Sequence, residues 1–137
     1  MTSFAAPGLV YTAADTILIT ILLFVMATQT TRMRAKHGVK APSVTGPLEF
    51  ECANRAHMNT IEGAMMFVPN LWIAAIWFGG IAPAIAGLVW VVGRVVYMQG
   101  YMAAPEKRST GFGIQMLALL AVVVMAIWGV VRVAMTF

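Results

Sequence analysis

Charged side chains are scarce in this chain of 137 residues, of which only 10% are Asp, Glu, Lys or Arg. Ordinary soluble domains carry about 25%. Residues 1–31 contain one charged side chain, Asp15, and residues 63–93 and 109–131 contain none. Hydrophobic residues make up 61% of the chain. This shortage of charge excludes an ordinary soluble domain and indicates a membrane protein.

Cysteine is almost absent as well. Cys52 is the only cysteine, which excludes a disulfide within one chain. The first residues lack the basic segment of a cleavable signal, so we expect the first apolar stretch to remain as a span. The sequence offers no basic face with stacking aromatic side chains, and we therefore expect no nucleic acid partner.

The three charge-poor windows define four spans, since a transmembrane helix needs about 20 apolar residues. The first and last windows each hold one helix, and the middle window with its flanks holds two, which separate at residues 79–83. The sequence thus predicts an all-α integral membrane protein with a four-transmembrane-helix bundle. The predicted helices cover about residues 10–36, 47–78, 83–104 and 110–136. Pro69 is expected to kink the second helix.

Positive charge is unevenly distributed among the loops. It follows the first helix and lies between the third and fourth helices, at Arg32, Arg34, Lys36, Lys40, Lys107 and Arg108. By the positive-inside rule, the first and third loops of this multi-pass protein are cytoplasmic and both termini lie outside. Arg132 near the C-terminus is the exception to this pattern. The short loops and the absence of sorting signals favour a bacterial inner membrane, with the endoplasmic reticulum as the alternative.

Polar side chains concentrate in residues 51–62 of the second helix. At 100° per residue, two acids, a base and an amide fall within one wedge of that helix, namely Glu51, Arg55, Asn59 and Glu62. On the third helix, Arg94, Tyr97 and Tyr101 lie within about 60° of one another. The fourth helix carries few polar residues, among them Gln115 and Arg132. We expect it to serve packing.

Two interpretations of the polar zone remain open. In the first, Glu51 and Glu62 neutralise Arg55 and Arg94, and the helices are merely held together. In the second, intramembrane charges mark a function. Three basic residues would keep no acidic partner, namely Arg34, Lys36 and Arg108, and such a surplus indicates an anionic ligand. Arginines bind carboxylates, acids bind an ammonium group and amides bind peptide groups. Glutathione offers all of these groups.

The segment Arg55-Ala-His57-Met-Asn59-Thr-Ile-Glu62 resembles the R-A-x-x-N-x-x-E signature of the MAPEG family, the membrane-associated proteins in eicosanoid and glutathione metabolism. Further matches are Thr45-Gly-Pro-Leu-Glu-Phe-Glu51, Arg94-Val-Val-Tyr97-Met-Gln-Gly100-Tyr101, and Arg108 seven residues later. The resemblance covers nearly the whole chain, which makes residues 1–137 a single domain. The chain is most similar to the leukotriene-C synthase and microsomal glutathione transferase branches.

The resemblance implies a homotrimer that binds glutathione as cosubstrate at each subunit interface. It assigns glutathione binding to Arg34, Arg55, His57, Asn59, Glu62, Arg94, Tyr97 and Tyr101. Arg108 matches the arginine that activates the thiol, because a neighbouring guanidinium stabilises a thiolate. The thiolate attacks a hydrophobic electrophile or a lipid hydroperoxide dissolved in membrane lipid. The implied activity is that of a glutathione transferase, with peroxidase activity as an extension, and no metal ion is expected.

Three positions depart from branches of the family. Met58 and Cys52 replace arginines of the prostaglandin-E synthase branch, which disfavours that isomerase activity. Gly63 stands where leukotriene-C synthase has a tyrosine, so one contact to glutathione is missing. Cys52 is expected to pack rather than to act as a nucleophile, since the cosubstrate supplies the thiol.

Two other functions compete with the enzyme. The family includes a lipid-presenting member without turnover, so a non-catalytic lipid-binding protein is the alternative, although Arg108 and the two tyrosines favour the enzyme. A four-helix multidrug transporter would need an acidic residue near mid-membrane in the first helix. Asp15 lies near the outer end of that helix, and we expect it to be a helix-packing or interfacial residue.

Overall fold

The computed structural model describes residues 7–137. Its four α-helices are α1 (Pro7–His37), α2 (Leu48–Ile73), α3 (Ala82–Ala103) and α4 (Ser109–Ala134), and the described residues form no β-strand. All four helices are long and apolar enough to cross a membrane, which confirms the predicted all-helical class with four spans. The predictions that no signal precedes the first span and that the N-terminal tail lies outside concern residues beyond this range.

The second span is longer than α2 itself. A single π-helical turn, Ala74–Phe78, continues α2, and the chain then reverses at Gly79 and Gly80. Both glycines have positive φ angles, 81° and 71°, which residues with a Cβ rarely adopt. Pro69 lies within α2, and the helix runs on through it. The helical stretch therefore ends at Phe78, where the sequence predicted it to end.

The core lies where all four helices meet. Phe67 of α2 stacks on Trp90 of α3, with ring centroids 4.8 Å apart and an interplanar angle of 12°. Both rings are fully buried, and Val122 of α4 packs in the same cluster. Offset stacking of this kind contributes about 0.5–1.5 kcal/mol beyond the burial of the rings. This cluster fixes α2, α3 and α4 against one another beside the polar zone.

Glycines allow α3 and α4 to approach each other closely. A Cβ at Gly93 of α3 would lie 2.8 Å from the backbone nitrogen of Gln115, and a Cβ at Gly111 of α4 would overlap the backbone of Tyr97. Such small residues let helix backbones meet within a membrane, where dispersion contacts replace the hydrophobic effect. The close approach brings the polar residues of α3 next to Gln115.

Asp15 lies on the buried side of α1. It is eight residues from the helix start, about 12 Å along the axis, and only 5% of its surface is exposed. The carboxylate rests against Gly87 of α3, where a Cβ would overlap Oδ2. Asp15 is therefore a helix-packing residue between α1 and α3. This is one of the two roles that were expected from the sequence, the other being interfacial.

Candidate functional site between helices α2, α3 and α4

Tyr97 joins the two polar helices. It is 3% exposed, and its hydroxyl accepts a 2.8 Å hydrogen bond from the side-chain amide of Asn59 in α2. Its ring makes an edge-to-face contact with Tyr101, at 5.6 Å between centroids. The guanidinium carbon of Arg94 lies 5.1 Å from the centre of the Tyr97 ring. The predicted neighbours on one face of α3 are thus in contact, and Asn59 is attached to them.

Arg94 is a buried cation, with 5% of its surface exposed. Its Nη2 donates a 3.2 Å hydrogen bond to Oε1 of Gln115 in α4, and its guanidinium lies 5.3 Å from the centre of the Trp90 ring. Nε is buried and makes no hydrogen bond. A charged group inside a membrane protein is costly unless a partner or a ligand compensates it. Arg94 therefore has donor capacity and positive charge left for a ligand.

Arg108 stands at the other end of this row. It ends the short 3₁₀ turn Pro105–Arg108, donates from Nη1 to the carbonyl oxygen of Pro105 at 3.1 Å, and is exposed. Its guanidinium lies 5.3 Å from the centre of the Tyr101 ring. A cation over an aromatic face at an exposed position is worth about 0.5–1 kcal/mol. The contacts thus run without interruption from Arg94 through Tyr97 and Tyr101 to Arg108.

A cleft of about 200 Å³ opens beside this row, between α2, α3 and α4. Both polar and apolar side chains line it. The lining residues are Asn59, Glu62, Gly63, Met66, Arg94, Tyr97, Phe112, Gln115, Met116 and Leu119. The volume is below the roughly 300–1,000 Å³ usual for sites that enclose a small molecule.

The other predicted site residues of α2 are not buried within the protomer. Arg55 and Glu62 are exposed, and His57 is half-buried. Among residues 7–137, none of these three makes an ion pair with another residue. Glu51 accepts a hydrogen bond from the backbone nitrogen of Gly46 at 3.0 Å instead of pairing with an arginine. Mutual neutralisation of Glu51, Glu62, Arg55 and Arg94 is therefore not what one protomer displays.

Lys36 does have an acidic partner, and the prediction that it lacks one is wrong. Glu49 accepts from Lys36 Nζ and lies close to His37 Nε2, both at 2.9 Å. These contacts tie the end of α1 to the start of α2 at the protein surface. The sequence did not reveal the pair, because Glu49 lies on another helix beyond the loop.

Arg34 has a different environment from the other predicted site residues. Its Nη1 donates to the carbonyl oxygen of Ser43 at 2.7 Å, and its guanidinium lies 4.8 Å from the centre of the Phe50 ring. It does not line the cleft within its own protomer. Arg34 thus holds the loop between α1 and α2.

Gln115 is the site residue that the sequence reasoning missed. The expectation that α4 serves packing passed over it, yet Gln115 lines the cleft and holds Arg94. One signal was available: it is an amide within the charge-free window of residues 109–131. An amide in an apolar span is expected to turn towards another helix and to hydrogen-bond there.

Known proteins are similar in sequence to this chain over most of its length. Residues 12–128 match the sequence profile of the MAPEG family. An uncharacterised protein of Synechocystis sp. is 40% identical over 119 residues, which cover 87% of each chain. Mouse microsomal glutathione S-transferase 2 is 41% identical over 99 residues, 72% of this chain and 67% of that one. Bovine leukotriene C4 synthase is 34% identical over 117 residues, 85% of this chain and 78% of that one.

Proposed function

Since this chain belongs to the MAPEG family, we propose that it is a membrane-bound glutathione transferase. One observation carries the proposal: Arg94, Tyr97, Tyr101 and Arg108 form a continuous row of contacts, with Asn59 bonded to Tyr97. Cations and phenol donors in such a row fit an elongated anionic peptide. Relatives whose names denote a glutathione transferase and leukotriene C4 synthase support the same assignment.

We further propose that the working form is a homotrimer with one glutathione at each subunit interface. Arg55 and Glu62 are exposed on a helix that crosses the membrane. A charged side chain that faces lipid costs about 2.5–3.5 kcal/mol on insertion scales. A neighbouring copy that covers this face removes that cost. It also enlarges the cleft of about 200 Å³ and brings Arg34 and His57 to the ligand.

The roles of the residues follow from their chemistry. Arg55 and Arg94 pair with the carboxylates of glutathione, and Glu62 pairs with its ammonium group. Asn59 and the phenols of Tyr97 and Tyr101 hydrogen-bond the peptide groups. Arg108 stabilises the thiolate, so that the thiol proton leaves to water at neutral pH.

The thiolate then uses one sulfur electron pair to form a C–S bond with the electrophile. When the electrophile carries a leaving group, the electrons of the bond that breaks depart with that group. When the electrophile adds the thiolate without a leaving group, water protonates the anion that forms. With a lipid hydroperoxide, two glutathione molecules are oxidised to the disulfide, and the hydroperoxide is reduced to an alcohol and water. Both kinds of substrate reach the site from the membrane lipid, and no step requires a metal ion.

The proposed setting is a bacterial inner membrane, with the first and third loops in the cytoplasm and both termini outside. Arg108 and the loop that Arg34 holds then lie on the cytoplasmic side, where glutathione is available. Cysteine labelling from either side of the membrane, at positions introduced singly in the loops, tests this orientation.

Rapid-mixing spectroscopy tests the transferase directly. Detergent-purified protein is mixed with glutathione, and the ultraviolet absorbance of the thiolate is followed for wild type, Arg108→Ala and Arg55→Ala. Wild type should produce thiolate at saturating glutathione. Arg108→Ala should bind glutathione without ionising it, whereas Arg55→Ala should need a much higher concentration. Absence of thiolate in wild type would overturn the enzyme and favour the non-catalytic lipid-binding alternative.

A further inference from the structure

Gln115 stands out among the buried residues of α4. Only 2% of its surface is exposed, and all other buried residues of that helix are glycine, alanine or valine. A buried amide in a membrane span costs free energy unless it is hydrogen-bonded. Its bond partner is Arg94 Nη2, at 3.2 Å. Because a guanidinium can only donate, Gln115 must present its carbonyl oxygen to Arg94.

The pairing of Arg94 with a neutral group is unusual for a buried arginine. Buried cations are as a rule compensated by a carboxylate. In residues 7–137, Arg94 has no ion pair, although Glu62 lines the same cleft. The amide of Gln115 occupies one of five N–H donors, and Nε is buried without a partner. Gln115 thus fixes the direction of the guanidinium without cancelling its charge.

Gly63 of α2 leaves room for the guanidinium, which packs directly against its backbone. A Cβ at this position of α2 would overlap Arg94 Nη2, so the guanidinium reaches across to α4 only because position 63 has no side chain. Arg94 therefore packs against the backbone of Gly63 on α2 and donates to a neutral acceptor on α4. Its free donors remain beside the cleft.

We infer that Gln115 is a positioning residue that holds Arg94 in the cleft with its charge uncompensated, so that Arg94 binds a carboxylate of the thiol peptide. The inference rests on the proposed function and deepens it, because it explains how a buried arginine stays available to an anionic ligand. A carboxylate at position 115 would fill the same volume, keep the hydrogen bond to Arg94 and neutralise the charge.

The test is a titration of the detergent-purified full chain with glutathione, for wild type, Gln115→Glu, Gln115→Met and Gln99→Glu. Gln99→Glu is the matched control, because it makes the same chemical change at an exposed position on another face of α3. Thermal unfolding of each variant is measured in parallel. We expect Gln115→Glu to unfold at or above the wild-type temperature and to bind glutathione about tenfold or more weakly. Gln99→Glu should bind like wild type.

Two glutathione analogues distinguish a positioning role of Gln115 from a purely structural one. One lacks the α-carboxylate of the glutamyl residue, and the other carries an amide in place of the glycine carboxylate. Wild type should lose affinity for the analogue whose missing carboxylate Arg94 binds. Gln115→Glu should bind that analogue and glutathione equally, because its Arg94 is already neutralised. Gln115→Met should keep part of the discrimination, since Arg94 is charged but no longer held.

The outcomes separate the two proposals. If wild type binds glutathione and Gln115→Glu binds it equally well, only the positioning role is overturned. The same holds if each analogue binds more weakly than glutathione by the same factor in wild type and in Gln115→Glu. If wild type does not bind glutathione, the proposed function fails together with the inference built on it. Should Gln115→Glu not fold, Gln115→Met decides: undiminished discrimination between glutathione and the analogues overturns the role.

Discussion

Gly63 in α2 lies directly against the guanidinium of Arg94 in α3, so closely that a Cβ at position 63 would overlap Nη2. This contact gives a physical reason for a glycine at position 63. The space that a larger side chain would need is occupied by Arg94, which crosses it to reach Gln115.

Gly63→Ala should therefore displace Arg94 from Gln115 and weaken glutathione binding. We expect about a tenfold rise in the dissociation constant, equivalent to about 1.4 kcal/mol, measured by calorimetric titration in detergent. Gly113→Ala is the control, because nothing lies within 4 Å of a Cβ at that position. Unchanged affinity in Gly63→Ala would show that the position of Arg94 does not matter for the ligand.

Tyr97 and Tyr101 offer a matched pair of hydroxyl deletions. Tyr97→Phe removes the acceptor of the 2.8 Å bond from Asn59, whereas the hydroxyl of Tyr101 has no hydrogen bond among the described residues. Loss of a partly buried hydrogen bond costs about 1 kcal/mol. We expect that decrease in the free energy of unfolding for Tyr97→Phe and less than half of it for Tyr101→Phe. Titration with a denaturing detergent measures both, and equal losses would contradict the bond's contribution.

Close packing of α3 on α4 depends on Gly111. A Cβ there would overlap the backbone of Tyr97, which cannot move aside as a flexible side chain could. Gly111→Ala should lower the free energy of unfolding by about 1–3 kcal/mol, as overpacking does elsewhere. Gly113→Ala, two residues further along the same helix, should instead stabilise the protein by up to about 1 kcal/mol through helix propensity. Thermal unfolding in one detergent compares the two, and similar stabilities would refute close contact at Gly111.

The four spans could be predicted because one physical signal dominates them. A charge-free window long enough to cross the bilayer has few alternatives to a helix, and the glycines at 79 and 80 mark the reversal. The neighbours on one face of α3 could also be predicted, since helical periodicity places Arg94, Tyr97 and Tyr101 together. Their contacts in the structure agree with that prediction.

Contacts between helices lay beyond this reasoning. Periodicity tells which residues share a face, but not which residue of another helix meets them. Lys36 therefore was expected to lack an acid although Glu49 lies beside it, and the link between Arg94 and Gln115 was not foreseen. The roles of the individual residues towards glutathione stay predictions, because they depend on a ligand and on neighbouring copies.

Arg34 gives a prediction about the loop between α1 and α2. Its bond to the carbonyl oxygen of Ser43 and its contact with Phe50 hold that loop against the helix ends. Arg34→Ala should speed amide hydrogen exchange in residues 38–47 about fivefold without glutathione, equivalent to about 1 kcal/mol. Lys40→Ala, an exposed change in the same loop, should leave exchange unaltered. If hydrogen exchange in Arg34→Ala is as slow as in wild type, the loop is ordered by other contacts.

Arg132 in α4 is the exception to the charge pattern of the loops, and it lies beside the end of the second span. Its Nη2 donates to the carbonyl oxygens of Trp77 and Phe78, at 3.2 and 3.5 Å. A cation at the C-terminal end of a helix satisfies free carbonyls and offsets the helix dipole, which is worth about 0.3–1 kcal/mol. The position of Arg132 is thus explained by this contact rather than by membrane orientation.

Arg132→Gln should therefore fray the π-helical turn Ala74–Phe78. We expect about two- to fivefold faster hydrogen exchange at Gly79, whose backbone nitrogen donates to Ala74 at 3.0 Å, in line with a loss of about 0.3–1 kcal/mol. Arg132→Lys keeps the positive charge at the helix end and should lie between wild type and Arg132→Gln. If Arg132→Lys and Arg132→Gln exchange equally fast, the bonds of the guanidinium fork, and not its charge, hold the turn. If neither differs from wild type, the turn is held by the packing of Gly129 against Phe78 alone.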